Sequence, residues 1–299
     1  MAAERFLLLE PKAFAYNLQT AGSNVFQNYQ GHNTALMAAR EFEQVINTLD
    51  RASMDLHVFE DDDLPPKPDA VFLNNWFSTH PDGNLVIYPM MSKNRRAEVR
   101  FESLEWLHEN YKVNELIDLR DFISYDKYLE GTGSLVFDHS SKKVYASLSA
   151  RTSSTVASQL AEQLGYEALF YKALGPENTP IYHTNVVQFF AHGLAGLCTE
   201  IIEEKKAVVK AIEESDKQLF NFNYEQLTCF AGNMLAMNNS KGEAHIACSQ
   251  KAWDSLDSKQ KRTLEQHGNV LLFQIPTIEH VGGGSIRCMI AENYLPTKT

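Results

Sequence analysis

The chain lacks the features that would tie it to a membrane, to nucleic acid or to an oxidising compartment. Its apolar run near the start, residues 6–9, is far shorter than a signal peptide or a membrane span. A net charge of −11 repels a phosphate backbone, and no basic stripe with interleaved aromatic residues is present. Four cysteines show neither a CxxC pair nor zinc-type spacing with histidine. We therefore expect a cytoplasmic protein with free thiols, no nucleic-acid partner and no membrane contact.

Cofactor-binding sequences are missing as well. Residues 131–133 and 282–285 are rich in glycine, but neither run leads from a strand into a helix, as a dinucleotide site requires. There is no Walker sequence, and the ten histidines show no metal-ligand spacing. We expect neither a metal nor an organic cofactor.

The chain is long enough for one large domain. Its 299 residues are 44% hydrophobic, and no linker rich in glycine, serine or proline divides them. We predict a single catalytic domain over residues 1–299. The acidic, proline-rich stretch at 60–68 has two interpretations, a solvated loop or a mobile flap over an axial pocket.

A unit of about fifty residues recurs five times along the chain. Each unit runs from a polar landmark through an apolar hairpin into a helix and out through another strand. Hairpin strands are predicted at 85–90, 144–148, 194–198 and 244–248, helices near 42, 102, 159, 209 and 258, and closing strands at 56–59, 116–119 and 270–273. Such regular spacing favours a closed ring, a five-bladed pseudo-symmetric α/β propeller of ββαβ units, over an ordinary α/β domain.

The polar landmarks of the five units would meet at the axis of this ring. They lie at Asn75, Glu130, His183, Asn233 and Cys288. A cysteine nucleophile needs its thiolate, which a histidine favours, and the histidine needs a carboxylate to fix its orientation. Singly, these three could be a packed thiol, a core histidine and a turn carboxylate. Their placement at matching phases predicts catalytic roles for the cysteine, the histidine and the glutamate.

The other cysteines have a simpler interpretation. Cys198 and Cys248 lie inside apolar hairpin strands, and Cys229 precedes Phe230, so we predict that all three are packing residues. Cys288 differs because three glycines, residues 282–284, precede it and allow its backbone to approach a ligand closely.

Several short runs together match a known family pattern. They are Pro11-Lys-Ala-Phe14 with Asn17, Asn24-Val-Phe-Gln27, residues 71–80, Asn94-Arg-Arg96, Glu130-Gly-Thr-Gly-Ser134, Arg151-Thr152, His183-Thr-Asn185, Phe230-Ala-Gly-Asn233, and residues 275–279 through Cys288. On these, nearly the whole chain resembles the guanidino-group-modifying enzymes, the superfamily of arginine deiminases, dimethylarginine hydrolases and amidinotransferases. The branch it resembles most is arginine-deiminase-related and citrulline-hydrolase-like. The resemblance implies a pentein propeller with its active site on the axis, where Cys288 is the nucleophile and Glu130 orients His183.

Two departures from the family pattern bear on the substrate. Asn75 and Asn185 occupy the positions at which deiminases carry aspartates that bind the substrate guanidinium. A buried guanidinium without counter-charges costs about 3–5 kcal/mol, whereas a neutral ureido group needs none, and a carboxamide can both donate to it and accept from it. We therefore expect a citrulline hydrolase that forms ornithine, carbon dioxide and ammonia through a covalent thiocarbonyl intermediate. Related dihydrolases also carry asparagine at the first position, so Asn75 alone does not exclude arginine.

The remaining expectations concern the rest of the substrate and the alternatives. Arg96 and Arg151 are candidates for pairing with the substrate carboxylate, and His80 and Asp82 lie close in sequence to the Asn75 strand. One alternative is a deiminase, dihydrolase or amidinotransferase acting on a guanidine, and another is a non-catalytic binding ring. The expected partner is a small amino-acid substrate, and a homodimer is compatible with the sequence.

Overall fold

Five three-stranded sheets make up the β-structure of the computed structural model, which describes residues 2–31, 33–62 and 64–298. The strands found in these residues are Arg5–Leu9 (β1), Asp55–Phe59 (β2), Phe77–Thr79 (β3), Asn84–Ile87 (β4), Glu115–Asp118 (β5), Val136–Asp138 (β6), Lys143–Ser147 (β7), Glu167–Tyr171 (β8), Gln188–Ala191 (β9), Leu194–Leu197 (β10), Gln218–Asn221 (β11), Leu235–Asn238 (β12), Ala244–Ser249 (β13), Asn269–Phe273 (β14) and Ala291–Glu292 (β15).

Helices follow and precede these strands in a regular order. They are Leu18–Ala21 (α1), Thr34–Arg51 (α2), Phe101–Asn110 (α3), Gly131–Ser134 (α4), Ser154–Gln163 (α5), Thr184–Val187 (α6), Lys205–Glu213 (α7), Tyr224–Thr228 (α8), Gln250–Ser255 (α9), Ser258–His267 (α10) and Ile286–Met289 (α11). Within the described part of the chain, no helix combines the length and the hydropathy that crossing a membrane requires.

Four of the blades have the same connectivity. An inner strand pairs antiparallel with the next strand, a helix crosses over, and a third strand returns parallel to the second. This describes β3–β4–α3–β5, β6–β7–α5–β8 and β9–β10–α7–β11, and the fifth blade, β12–β13–β14, has α9 and α10 in its crossover. The predicted α/β propeller of ββαβ units is confirmed.

The first blade joins the two ends of the ring. Its middle strand β1 pairs parallel with β2 and antiparallel with β15, with Phe6 opposite Glu292 and Leu7 opposite Ala291. The inner strand of this blade therefore comes from the far end of the sequence. Closure gives every inner strand a place around one axis.

The predicted elements agree with these bounds except near residue 258. There the crossover consists of two helices, because α9 ends at Ser255 and α10 begins at Ser258. Asp257 separates them and caps α10, accepting bonds from the backbone of Lys259 and Gln260, while Gln260 bonds back to the backbone of Asp257. This capping box satisfies amides that would otherwise lack partners, so the chain starts a new helix at this point.

Hydrophobic periodicity places the core between the sheets and the helices. On α2, Ala38, Phe42, Val45 and Leu49 are all buried, and they face the first blade at helical spacing. Cys198 and Cys248 are also fully buried in apolar clusters, in agreement with a packing role.

The stretch at 60–68 is anchored to the fold. The carboxylate of Asp61 is buried and lies 3.1 Å from Lys67 Nζ and 2.9 Å from Arg100 Nη1. Residue 63 lies outside the described residues. The described residues of this stretch do not line the pocket described below, and the buried ion pairs hold Asp61 and Lys67.

A glycine at the boundary between the fourth and fifth blades offers a test of this packing. A Cβ added to Gly232 would lie 2.0 Å from the carbonyl oxygen of Val186. We expect Gly232→Ala to lower the free energy of unfolding by about 2 kcal/mol or more, because the backbone must shift. Gly31→Ala is the matched control, since a Cβ there meets no atom within 4 Å. Chemical denaturation of both variants measures the difference, and equal stabilities would contradict the packing.

Candidate active site

Short turns before the inner strands bring the polar landmarks together. The turn Leu73–Asn75 leads into β3, α4 into β6, α6 into β9 and α11 into β15. Each landmark therefore lies at the same end of its inner strand, close to the axis. We call this end of the ring the front.

A small cavity lies at the front of the axis. Its volume is about 10 Å³, close to the room that one water molecule needs, and we call it the front cavity. Its lining comes from four of the blades and from the segment before α2, and consists of Asn24, Asp69, Phe72, Asn75, Arg95, Arg151, Tyr182, His183, Gly282, Gly284 and Cys288. The predicted nucleophile, the predicted base and one of the two predicted amides therefore share one pocket.

Glu130 and His183 form a buried pair beside this cavity. Oε2 of Glu130 lies 2.8 Å from Nε2 of His183, and neither residue is exposed to any useful extent. The glutamate also accepts from the backbone amide of Met91 and from Arg151 Nη1 at 3.4 Å. Since a carboxylate accepts, Nε2 carries the proton and Nδ1 is left as the basic nitrogen.

Charge and burial set the protonation of this pair. Burial alone would raise the pKa of Glu130, but the charge of Arg151 and the bond to His183 outweigh it and hold the pKa well below its usual range. Burial lowers the pKa of His183 to about 4, although Glu130 opposes the change. At neutral pH the site therefore holds a carboxylate and a neutral imidazole.

Gly133 leaves the room in which the imidazole of His183 and the amide of Asn75 pack. A Cβ at this position would lie 2.7 Å from Nδ1 of His183 and 2.6 Å from Nδ2 of Asn75. Only a residue without a side chain lets the two groups pack against the same turn. The basic nitrogen of His183 is therefore held next to Asn75.

The thiol of Cys288 lies among carboxamides. It is on α11, which follows Gly283 in the left-handed region at φ +66°. Its Sγ lies 3.2 Å from Nδ2 of Asn233 and 3.5 Å from Nδ2 of Asn185. Burial raises the pKa of this thiol, and the amides offset part of the effect. The Cys288 side chain is therefore a neutral thiol next to two N–H donors.

Arg95 fixes the orientation of Asn75. The guanidinium binds Glu98 through two bonds of 2.8 and 2.9 Å, and its Nη1 donates to Oδ1 of Asn75 at 2.8 Å. Nδ2 of Asn75 in turn donates to Oδ1 of Asn74. The amide therefore keeps its oxygen towards the arginine and its nitrogen towards the neighbouring amide.

The arginines are placed differently from the sequence expectation. Arg151 lines the front cavity as expected, bonding Ser23 Oγ at 2.7 Å and stacking over the ring of Tyr182 at 4.9 Å. Arg96 does not line it, because its guanidinium donates to the backbone carbonyls of Met90 and Met91. Its neighbour Arg95 occupies the cavity wall instead.

A buried carboxylate that the sequence analysis missed also lies in this wall. Oδ2 of Asp69 accepts from Asn17 at 2.7 Å and from Thr20, and it lies 3.8 Å from Nε of Arg95. Its Oδ1 is buried and has no partner within the described residues. Burial raises the pKa of Asp69, while Arg95 opposes the change.

The structure places the remaining candidates elsewhere. His80 is buried at the opposite end of the axis, and Asp82 is exposed in the turn before β4, where it binds Asn84. Asn233 was recognised as a landmark but not as a contact of the thiol. Among the described residues, no group of three or more histidine, cysteine, aspartate or glutamate side chains is arranged to hold a metal ion.

Residues 17–28 cover the front cavity. Asn24 donates to the carbonyls of Gly282 and Gly283, and the backbone amide of Asn28 donates to His280. Phe26 packs against Tyr182, whose hydroxyl donates to Gly283 at 2.5 Å. We call these residues the covering segment. It holds the glycine run that precedes the nucleophile.

Comparison with known proteins gives the class of this fold and site: the guanidino-group-modifying, or amidinotransferase, superfamily, with its pentein propeller. Within that superfamily, the chain belongs to the eukaryotic N,N-dimethylarginine dimethylhydrolase family, whose model matches residues 10–295. This is a family of hydrolases that act on guanidino groups. No curated protein sequence matches the chain.

Several solved structures share the fold. The N-terminal domain of ArgZ, an arginine dihydrolase from the ornithine–ammonia cycle in cyanobacteria, superposes with a TM-score of 0.75 at 17% identity, over 97% of this chain and 99% of that one. Unliganded AgrE gives 0.76 at 16%, over 99% and 40%. A variant of dimethylarginine dimethylaminohydrolase, bound as an adduct with S-methyl-L-thiocitrulline, gives 0.65 at 13%, over 97% and 99%.

A buried glutamate bonded to Ser285 predicts a pH effect on stability. Oε1 of Glu279 accepts from Ser285 Oγ at 2.5 Å, and burial raises its pKa to about 7. Its stabilising contribution is therefore complete below the unfolded pKa, near 4.5, and is lost as pH rises through about 7. From pH 5 to pH 8.5, the free energy of unfolding of Glu279→Gln should rise relative to that of the wild type by on the order of 3 kcal/mol.

Urea unfolding at the two pH values measures this difference. The exposed glutamate Glu265 on α10 provides the matched variant, Glu265→Gln, which should track the wild type at both. A constant offset between Glu279→Gln and the wild type would show that the carboxyl group does not titrate in this range.

Proposed function

We propose that this chain hydrolyses the ureido group of citrulline, giving ornithine, carbon dioxide and ammonia with Cys288 as the nucleophile. The observation that carries the proposal is the set of amides around the reacting atoms. Asn185 and Asn233 lie within 3.5 Å of the thiol, and Asn75 lies beside the basic nitrogen of His183. A guanidinium placed there would lack an adjacent counter-charge, whereas a neutral ureido group finds both donors and acceptors.

The other end of the cavity suits the head of an amino acid. Arg95 and Arg151 present buried guanidiniums in the wall, and Asp69 presents a carboxylate oxygen that lacks a partner within the described residues. A substrate carboxylate pairs with the arginines and an α-ammonium group with Asp69. This assignment replaces Arg96, the candidate expected from sequence, with Arg95.

The first half of the reaction forms a covalent intermediate. Nδ1 of His183 takes the proton of the Cys288 thiol as sulfur attacks the ureido carbon. The imidazolium then gives that proton to the departing nitrogen, the C–N bond breaks, and ornithine leaves a carbamoyl group on sulfur. Glu130 stabilises the imidazolium through the bond to Nε2, in the role that a triad carboxylate plays.

The amides stabilise charge that develops on oxygen. Nδ2 of Asn185 and Nδ2 of Asn233 both point at the thiol, so they are close to any carbonyl oxygen bonded to the attacked carbon. Asn233 is held in this orientation because its Oδ1 accepts from the backbone amide of Arg287. Preorganised N–H donors of this kind contribute several kcal/mol to a transition state.

The second candidate is an arginine dihydrolase. It is supported by the carboxylate of Asp69 in the cavity wall and by the fold shared with ArgZ. Asp69 lies beside the arginines, however, and its Oδ2 forms an ion pair with Nε of Arg95 at 3.8 Å. This position favours the amino-acid head over a guanidinium next to the thiol.

A substrate panel separates these functions. We expect citrulline to give ornithine and ammonia, with arginine and dimethylarginine turned over at least about tenfold more slowly, because the site lacks a carboxylate at the thiol. Cys288→Ala should abolish turnover of all three. Amino-acid analysis and ammonia release measure the products. Turnover of arginine alone would move the assignment to the dihydrolase, and no turnover of any of them would contradict the proposal.

Exchanging one amide for an acid should shift the preference. Asn75→Asp introduces the counter-charge that a guanidinium needs, so the ratio of kcat/KM for arginine over citrulline should rise by about ten- to a hundredfold. Asn110→Asp makes the same charge change at an exposed position on α3, outside the front cavity wall, and should change the ratio much less. If both variants shift the ratio equally, local charge matching is not what selects the substrate.

A further inference from the structure

A second and larger cavity lies at the other end of the axis. Its volume is about 480 Å³, it is partly open to solvent, and we call it the rear cavity. Every blade contributes an inner-strand residue to its wall, namely Thr79, Asp138, Ala191, Ala236 and Ala291. The hairpin turns at residues 139–140 and 192–193 form its mouth. Because the landmarks precede the inner strands and these turns follow them, the two cavities lie at opposite ends of the ring.

Near Cys288, a single side chain, that of Asn185, separates the two cavities. Asn185 lines the rear cavity, and its Nδ2 lies 3.5 Å from the thiol of Cys288, which lines the front cavity. Arg287 and Cys288 are neighbours in sequence and line opposite sides. The rear cavity thus extends from solvent to the amide that contacts the reacting sulfur.

The deep part of the rear cavity offers neutral polar groups. Nε2 of Gln188 and Nδ1 of His80 are buried, line the cavity and have no partner within the described residues. Nε2 of His80 is already bonded to Ser78, and burial lowers the pKa of this imidazole to about 3, so its free Nδ1 belongs to a neutral ring. Buried polar groups of this kind are ordinarily satisfied by water.

Four of the five charged side chains that line the rear cavity in the described part of the chain form ion pairs. Nζ of Lys217 lies 2.6 Å from Asp138, and Nη2 of Arg287 lies 2.7 Å from Glu292. The fifth, Asp216, is exposed to solvent. Neither pair presents a lone charge to the passage, so the interior suits water and small neutral molecules better than ions.

We propose that the rear cavity carries water to the covalent intermediate and the small products of its hydrolysis away from it. The inference rests on the proposed function. While the ornithine product is still held between Arg95, Arg151 and Asp69 beneath the covering segment, the front cavity is filled from its own side. The reacting carbon remains reachable past Asn185 from the rear. Water and the small products therefore use a path that is separate from the amino-acid entrance.

The step served by this path is the hydrolysis of the carbamoyl thioester. Water attacks the carbonyl carbon while Nδ1 of His183 takes its proton. The C–S bond breaks, the sulfur recovers that proton from the imidazolium, and carbamic acid is released. Carbamic acid then breaks down to carbon dioxide and ammonia, so atoms and charge balance without any further reactant.

Filling the rear cavity should slow this step alone. Ala236→Trp on β12 and Ala191→Trp on β9 place an indole in the passage from two different blades. We expect kcat for citrulline to fall on the order of tenfold while KM stays within about twofold. Rapid quenching should still show one equivalent of ornithine per site, and mass spectrometry should show the carbamoyl adduct accumulating on Cys288.

Matched variants keep the test decisive. Ala236→Ser leaves the passage open, and Ala97→Trp adds an indole at an exposed position outside both cavities, so both should behave as the wild type. Circular dichroism and thermal unfolding check the fold, and Ala191→Leu provides a smaller plug if an indole prevents folding. If the wild type turns over citrulline while the folded plug variants show an unchanged kcat and no adduct, the proposed passage is wrong and the proposed function stands. Absence of turnover in the wild type would instead overturn the proposed function, and the passage with it.

Discussion

The site depends on a group of opposite charges buried under the imidazole. Two guanidiniums, Arg95 and Arg151, lie beneath Glu130, which holds the proton-bearing nitrogen of His183 at 2.8 Å. Buried charges are tolerated only when paired, so each arginine needs its acid and each acid its arginine. Because the members come from different blades, the group also locks the blades in register. The chemistry and the architecture therefore share one set of interactions.

Much of this arrangement could be predicted from the sequence because it is periodic. The five-unit spacing predicts the ring, and the ring predicts that Glu130, His183 and Cys288 meet at its axis. Pattern and geometry agree here because each landmark lies in the short turn just before an inner strand. The prediction of a single helix near residue 258 was less accurate, because Asp257 caps a new helix there and interrupts the apolar pattern.

Single-residue choices could not be predicted in the same way. Arg95 and Arg96 are adjacent, and only the turn of the short helix Arg95–Glu98 decides which one enters the cavity. Asp69 precedes its landmark by six residues and enters the wall through its bonds to the covering segment. Such placements depend on tertiary contacts that leave no periodic signal. Hence the residues on the axis were predictable, whereas Arg95 and Asp69 in the cavity wall were not.

The pairing of β1 with β15 has a consequence for how the protein folds. Phe6 and Glu292 are opposite each other in this pair, although nearly the whole sequence separates them. Contacts between residues so distant in sequence form slowly, because the loop between them must first be ordered. Cys288 lies in the turn that leads into β15, so its thiol joins His183 in the front cavity only when the ring closes. The two side chains therefore share one pocket only at the final stage of self-assembly.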